Sequence, residues 1–84
     1  MGRPDAETLH RLRWQCRRGM LELDEILLAY LENRYPEAPE AEQAAFRELL
    51  TCEDPLLQRW LLLGEEPETA LRDLVERLRG SRLA

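Results

Sequence analysis

An all-α fold, a compact five-helix bundle, is what this sequence predicts, and three observations carry the prediction. Apolar residues return at three- and four-residue spacing in five successive segments. No segment sustains the polar–apolar alternation of a strand, and β-branched residues are few. Glycine and proline punctuate the chain where one periodic segment gives way to the next. At 84 residues the chain suits a single helical domain over 1–84, with 1–4 and 80–84 frayed. Helices of ten to fifteen residues are marginal alone, so mutual packing has to hold them.

The first helix is expected over 4–17. Pro4 fits its first turn, and Asp5 and Glu7 complement the positive N-terminal end. Ala6, Leu9, Leu12 and Cys16 make one apolar stripe, while Arg13 and Arg17 share another face near Trp14. Gly19 ends this helix as its C′ residue, where a left-handed backbone carries no Cβ penalty. The second helix, 20–34, buries Met20, Leu23, Ile26, Leu27, Tyr30 and Leu31 and opens with Glu22 and Asp24. "YPEAPEAE" follows, a short loop made by its two prolines. The third helix, 39–52, buries Ala45, Phe46, Leu49 and Leu50. The fourth has Asp54 as N-cap, Pro55 at N1 and Gly64 at C′, with Leu57, Trp60 and Leu61 turned inward. Pro67 opens the fifth, which buries Leu71, Leu74, Val75 and Leu78 and stops at Gly80.

Composition narrows the function. Hydrophobic residues are 44% and charged residues 35%, as in a charge-coated globule. No apolar run approaches the length of a membrane span. "MGRPDAETLH" lacks the apolar stretch of a secretory signal, and Ala6 stands where a myristoylation signal needs Ser or Thr. A soluble cytoplasmic protein without a membrane partner is expected. The net charge is −5, unevenly spread, and every basic residue is arginine. Residues 1–18 carry five Arg against Asp5 and Glu7, a net of +3, whereas 19–68 carry three Arg against thirteen acids, a net of −10. Phosphate repulsion by the acidic stretch argues against nucleic acid as a partner. A basic edge facing an acidic site on a protein is compatible with this layout.

Catalysis lacks its parts. His10 is the only histidine and Ser81 the only serine, and neither stands in a triad context. Cys16 and Cys52, far apart in sequence, read as small buried hydrophobes rather than a redox or zinc pair. The carboxylates fall on polar helix faces, and no GxGxxG, P-loop or metal-ligand cluster is present. No catalytic residue, tightly bound cofactor or metal is expected, which leaves binding. Trp60, among leucines, reads as core. Trp14, among Arg11, Arg13, Arg17 and Arg18, has either an interface composition or a packing role between helices.

The junction of the first two helices carries a resemblance. "RGMLE", residues 18–22, matches an RGxxE motif. Around it, "RLRWQCRRGMLELD" resembles a family block in which an aromatic residue precedes "CRRGMxELD", and "LLTCEDPLLQRWLLLGEEP" resembles the same family's later block. On these residues, over about 9–78, the chain resembles the SdhE-type family, FAD assembly factors of succinate dehydrogenase. The resemblance implies a five-helix fold and a chaperone-like assembly role. Such a protein binds the flavoprotein subunit of succinate dehydrogenase, and in bacteria also that of fumarate reductase. It promotes covalent attachment of FAD to a histidine of that subunit, without an enzyme's groups or a tightly held cofactor, and acts as a monomer. The resemblance carries Arg18, Gly19 and Glu22 over as partner-binding residues, with Arg17, Trp14 and Arg11 flanking them and Asp24 in support. The alternative function is an antitoxin-like or other regulatory module that binds a protein.

Overall fold

Five α-helices and one 3₁₀ turn follow each other without a strand among the described residues. The computed structural model describes the backbone of residues 4–67 and 69–83 and the side chains of 4–67 and 70–80. The helices are α1 (Ala6–Gln15), α2 (Leu21–Asn33), α3 (Glu40–Leu49), α4 (Asp54–Leu61) and α5 (Thr69–Leu83), with the 3₁₀ turn at Tyr35–Glu37 between α2 and α3. The bundle predicted from periodicity is therefore the fold observed.

The helices begin and end where local hydrogen bonding dictates. Pro4, expected in the first turn, precedes the helix, and Asp5 is the N-cap of α1: its carboxylate accepts from the Thr8 backbone N–H at 2.8 Å and satisfies one orphan donor. Hydrogen bonding from Thr8, its side chain first and its backbone N–H second, holds the Asp5 carboxyl below its ordinary pKa. Ala6, placed on the predicted apolar stripe, is exposed, and the stripe is carried by Leu12 and Cys16 with Leu9 half-buried. At the other end the Cys16 N–H is shared between the Leu12 carbonyl at 3.0 Å and the Arg13 carbonyl at 3.2 Å, the Arg17 N–H turns to Trp14 three residues back, and this tightening ends α1 at Gln15. Gly19 has the left-handed backbone expected of it, φ +82°, but is not the C′ residue, because Cys16 is the C-cap and two arginines intervene.

α2 is the central element. Leu23, Ile26, Leu27, Tyr30 and Leu31 are buried along it, and it packs on α1, α4, α5 and the 3₁₀ turn. The proline-broken loop is more regular than predicted. Tyr35 is buried within it, and Gln43 of α3 donates to its carbonyl oxygen at 2.6 Å. The Phe46 ring sits 4.7 Å from the Tyr30 ring and 5.5 Å from the Tyr35 ring, centroid to centroid, so α2, the turn and α3 share one aromatic cluster. α3 stops at Leu49, short of the expected residue 52, because Thr51 and Cys52 again bond three residues back. α4 has Glu53 in the N-cap position; Asp54, predicted for it, is the first helical residue and is engaged elsewhere. Gly64, predicted at C′, stands one residue beyond it because Leu62 is the C-cap; its φ is +82°, and the Glu65 N–H reaches back to the Arg59 carbonyl at 2.9 Å. α5 buries Leu71, Leu74, Val75 and Leu78 as predicted, yet runs through Gly80 to Leu83. Gly80 lacks the positive φ of Gly19 and Gly64, and a glycine permits a stop without imposing one. The fraying expected of 1–3 and 84 lies outside the described residues.

Polar ties close the core. Glu42 of α3 accepts from Tyr30 Oη at 2.5 Å and from Arg34 Nε and Nη2 at 2.9 and 3.0 Å, with Arg77 of α5 at 3.5 Å. No buried side-chain nitrogen or oxygen lacks a partner among the described residues.

Candidate functional site

The connection from α1 to α2, residues 16–20, gathers the residues singled out in the sequence. Gly19 is exposed at its apex, and a Cβ built there meets nothing within 4 Å. The positive φ makes glycine the favoured residue, and the open space leaves its backbone approachable. Glu22 lies exposed in the first turn of α2. Arg11 and Arg17 are exposed, without a side-chain hydrogen bond or ion pair among the described residues. Trp14 is 66% exposed, which settles the open choice in favour of a surface position. Trp60, by contrast, is in the core as predicted.

Arg18 faces the other way. Its side chain is only 15% exposed. Nε donates to the Gln15 carbonyl at 2.8 Å, Nη1 to the Cys52 carbonyl at 3.0 Å and to Asp54 Oδ1 at 3.1 Å, and Nη2 to the Leu50 carbonyl. Its backbone N–H donates to Asp24 Oδ1 at 2.7 Å. Of the seven candidate residues, five therefore stand at the surface, and Arg18 and Asp24 hold the turn from beneath. Two further residues join the site that pattern reading passed over. Leu21, 76% exposed, sits directly beside Glu22; its signal was an apolar side chain off the Leu23–Leu27 stripe. Asp54, read as a cap, is the Arg18 counter-ion, and nothing in its local sequence announces a partner 36 positions away.

Burial pushes the Cys16 thiol up to about 12, so it stays protonated and inert, and burial raises Cys52 as well. Cys16 is fully buried, as read from the sequence, whereas Cys52 is only half-buried. His10 is exposed on α1. Among the described residues no His, Cys, Asp and Glu group is arranged to hold a metal ion. Between Arg11 and Glu22 the chain exposes a tryptophan, a leucine, a glutamate, an open glycine backbone and two arginines with no side-chain hydrogen bond among the described residues, a composition suited to a protein partner.

Comparison with known proteins decides the family. The profile of a family described as "Flavinator of succinate dehydrogenase" (Sdh5) matches residues 10–82. The chain belongs to this family. Among its relatives, the FAD assembly factor SdhE of Legionella pneumophila (strain Lens) is 46% identical over 75 residues, 89% of this chain and 95% of that protein. The FAD assembly factor SdhE of Pseudomonas aeruginosa is 46% identical over 72 residues, 84% of this chain and 86% of that protein. That of Aliivibrio fischeri is 40% identical over 74 residues, 87% of this chain and 86% of that protein. No solved structure matches the chain significantly. For this flavinator-family chain, the matched span includes the whole of the Gly19 turn and the α3–α4 connection on which Arg18 rests. Among the described residues no helix is long and apolar enough to cross a membrane.

Proposed function

We propose that this chain is an assembly factor that docks on the flavoprotein subunit of succinate dehydrogenase through the Gly19 turn and promotes covalent attachment of FAD there. The observation that supports the docking surface is the exposed left-handed Gly19, with open space at its Cβ position and exposed Arg11, Trp14, Arg17, Leu21 and Glu22 on either side of it in the chain. Gly19 and Glu22 make the closest contacts, Arg11, Arg17 and Trp14 surround them, and Asp24 supports the backbone. A chain belonging to a flavinator family, with a protonated thiol and a solitary exposed histidine, acts by holding its client rather than by chemistry of its own.

The contribution is geometric. Covalent attachment needs a protein side chain and the flavin held together in reactive alignment within the client. A partner that binds the competent arrangement of the client raises its population, and with it the effective concentration of the reacting groups. The assembly factor is not an enzyme in this reading and holds no cofactor of its own. It works as a cytoplasmic monomer, and the flavoprotein of fumarate reductase is a second client.

Gly19→Arg tests the surface. Co-expressed with the flavoprotein subunit, the variant retains its helicity in circular dichroism and leaves the flavoprotein without covalent flavin fluorescence. A normal level of covalent flavin with Gly19→Arg would remove this turn from the docking surface.

A further inference from the structure

We infer that Arg18 is a positioning residue for the docking surface, a latch that fixes the Gly19 turn on the α3–α4 connection, so that residues 50–54 belong to the docking machinery. This rests on the reading of the turn as the docking surface. Four of the five N–H donors of a guanidinium are spent inside the molecule, and the side chain is 15% exposed. A group so committed has little left to offer a partner.

The bonds go to places that would otherwise be loose. Gln15 is the last residue of α1, and Leu50 and Cys52 lie just past the end of α3, where helix carbonyls lack intrahelical donors. A cation is favoured at such C-terminal ends. Asp54 opens α4, and Asp24 of α2 takes the Arg18 backbone N–H. Four helices thus meet at one residue, and the residue next to it in the chain is the exposed Gly19. Residues 16–20 have no other side-chain tie to the α3–α4 connection among the hydrogen bonds and ion pairs of the described residues. A lysine would keep the charge but, as a point donor, could not span three acceptors on two backbone segments. Loosening the latch lowers the fraction of time the turn is held for docking, and apparent affinity falls by that fraction.

The test uses the full chain and the FAD-free flavoprotein subunit of succinate dehydrogenase from the same organism. Arg18→Lys and Asp54→Asn are measured for hydrogen exchange in the free chain and for flavoprotein binding across a salt series, well below their melting temperatures. Both variants are expected to speed exchange at residues 17–20 and to weaken binding, Arg18→Lys by about tenfold, with the salt slope unchanged. The double variant binds no more weakly than Arg18→Lys alone. Arg79→Lys is the control for lost stability. That arginine grips the Trp60 and Glu65 carbonyls at the far end of α4, and its variant lowers the melting temperature while leaving binding intact. Unchanged exchange at the turn with wild-type binding in Arg18→Lys would overturn the latch. So would a shallower salt dependence of binding in Arg18→Ala together with an inert Asp54→Asn, the signature of a direct ionic contact. Gly19→Arg in the same assay separates the two claims. If it binds normally the docking surface is misplaced, while exchange in the free chain still judges the latch.

Discussion

Gly19 combines two properties that substitutions of different size separate. Its φ of +82° disfavours any Cβ, and the space around it is empty. Gly19→Ala therefore costs about 1–2 kcal/mol through backbone strain alone, read as a fall of about 4–8 °C in melting temperature per kcal/mol for a chain of this size. Gly19→Asn, a residue that tolerates the left-handed region, costs less. Asn and Ala leave most of the docking surface in place, whereas Arg covers it. Loss of flavinylation that tracks side-chain size rather than melting temperature across Ala, Asn and Arg identifies occlusion; loss that tracks melting temperature contradicts it. The motif showed at this scale which residues to examine, and the left-handed glycine was legible from its place between two helices. The direction of Arg18 was not. Three of its four side-chain partners lie 32 to 36 positions away, and no local pattern encodes a backbone carbonyl. Trp14 was undecided for a related reason, since only the packing of α1 on α2 determines which of its faces is covered.

Helix cores were readable because burial imposes a period of 3.6, and the stripes Leu23–Leu31 and Leu71–Leu78 are buried as predicted. Helix ends were less so, because several competing hydrogen bonds decide each one. Asp54 looked like a cap by residue type and serves Arg18 instead, while Asp5, read only as a favourable charge, is the cap. Gly80 looked like a stop and lies inside α5 with no left-handed φ and nothing within 4 Å of its Cβ position. Gly80→Ala accordingly stabilises the chain by about 0.5–1 kcal/mol, measurable as a higher denaturant midpoint with an unchanged slope. A lower midpoint would show that the glycine is required there. The Arg18 latch at the start of α4 and the Arg79 latch at its end bracket the shortest helix of the bundle, an element too short to persist on its own.

Across the whole molecule, the charges separate into a working edge and a structural interior. The basic N-terminal segment exposes Arg11 and Arg17, while Glu42 ties α2, α3 and α5 together through Tyr30, Arg34 and Arg77. The hydrogen bond from Arg34 is the main cause holding the Glu42 carboxyl below its ordinary 4.5, and the Tyr30 hydroxyl is pushed up chiefly by burial. A carboxylate with a depressed folded pKa binds fewer protons in the folded than in the unfolded state. Its stabilisation is full above 4.5 and is lost as pH falls below that value through the folded pKa. Glu42→Gln should thus lose about 2 kcal/mol at neutral pH and show a flatter stability profile below 4.5 than the unaltered chain. A variant whose acid profile runs parallel to that of the unaltered chain would place the acid sensitivity elsewhere.

The family is one of flavinators of succinate dehydrogenase, and the contact surface proposed for this member is one turn. Hydrogen exchange of this chain, alone and mixed with the FAD-free flavoprotein subunit, measures that surface directly. The account predicts new protection at the Gly19 turn and the first turn of α2, residues 17–22, with the exposed end of α1 at Trp14 protected alongside. Protection confined to the α3–α5 side, with residues 17–22 exchanging as in the free chain, would contradict it.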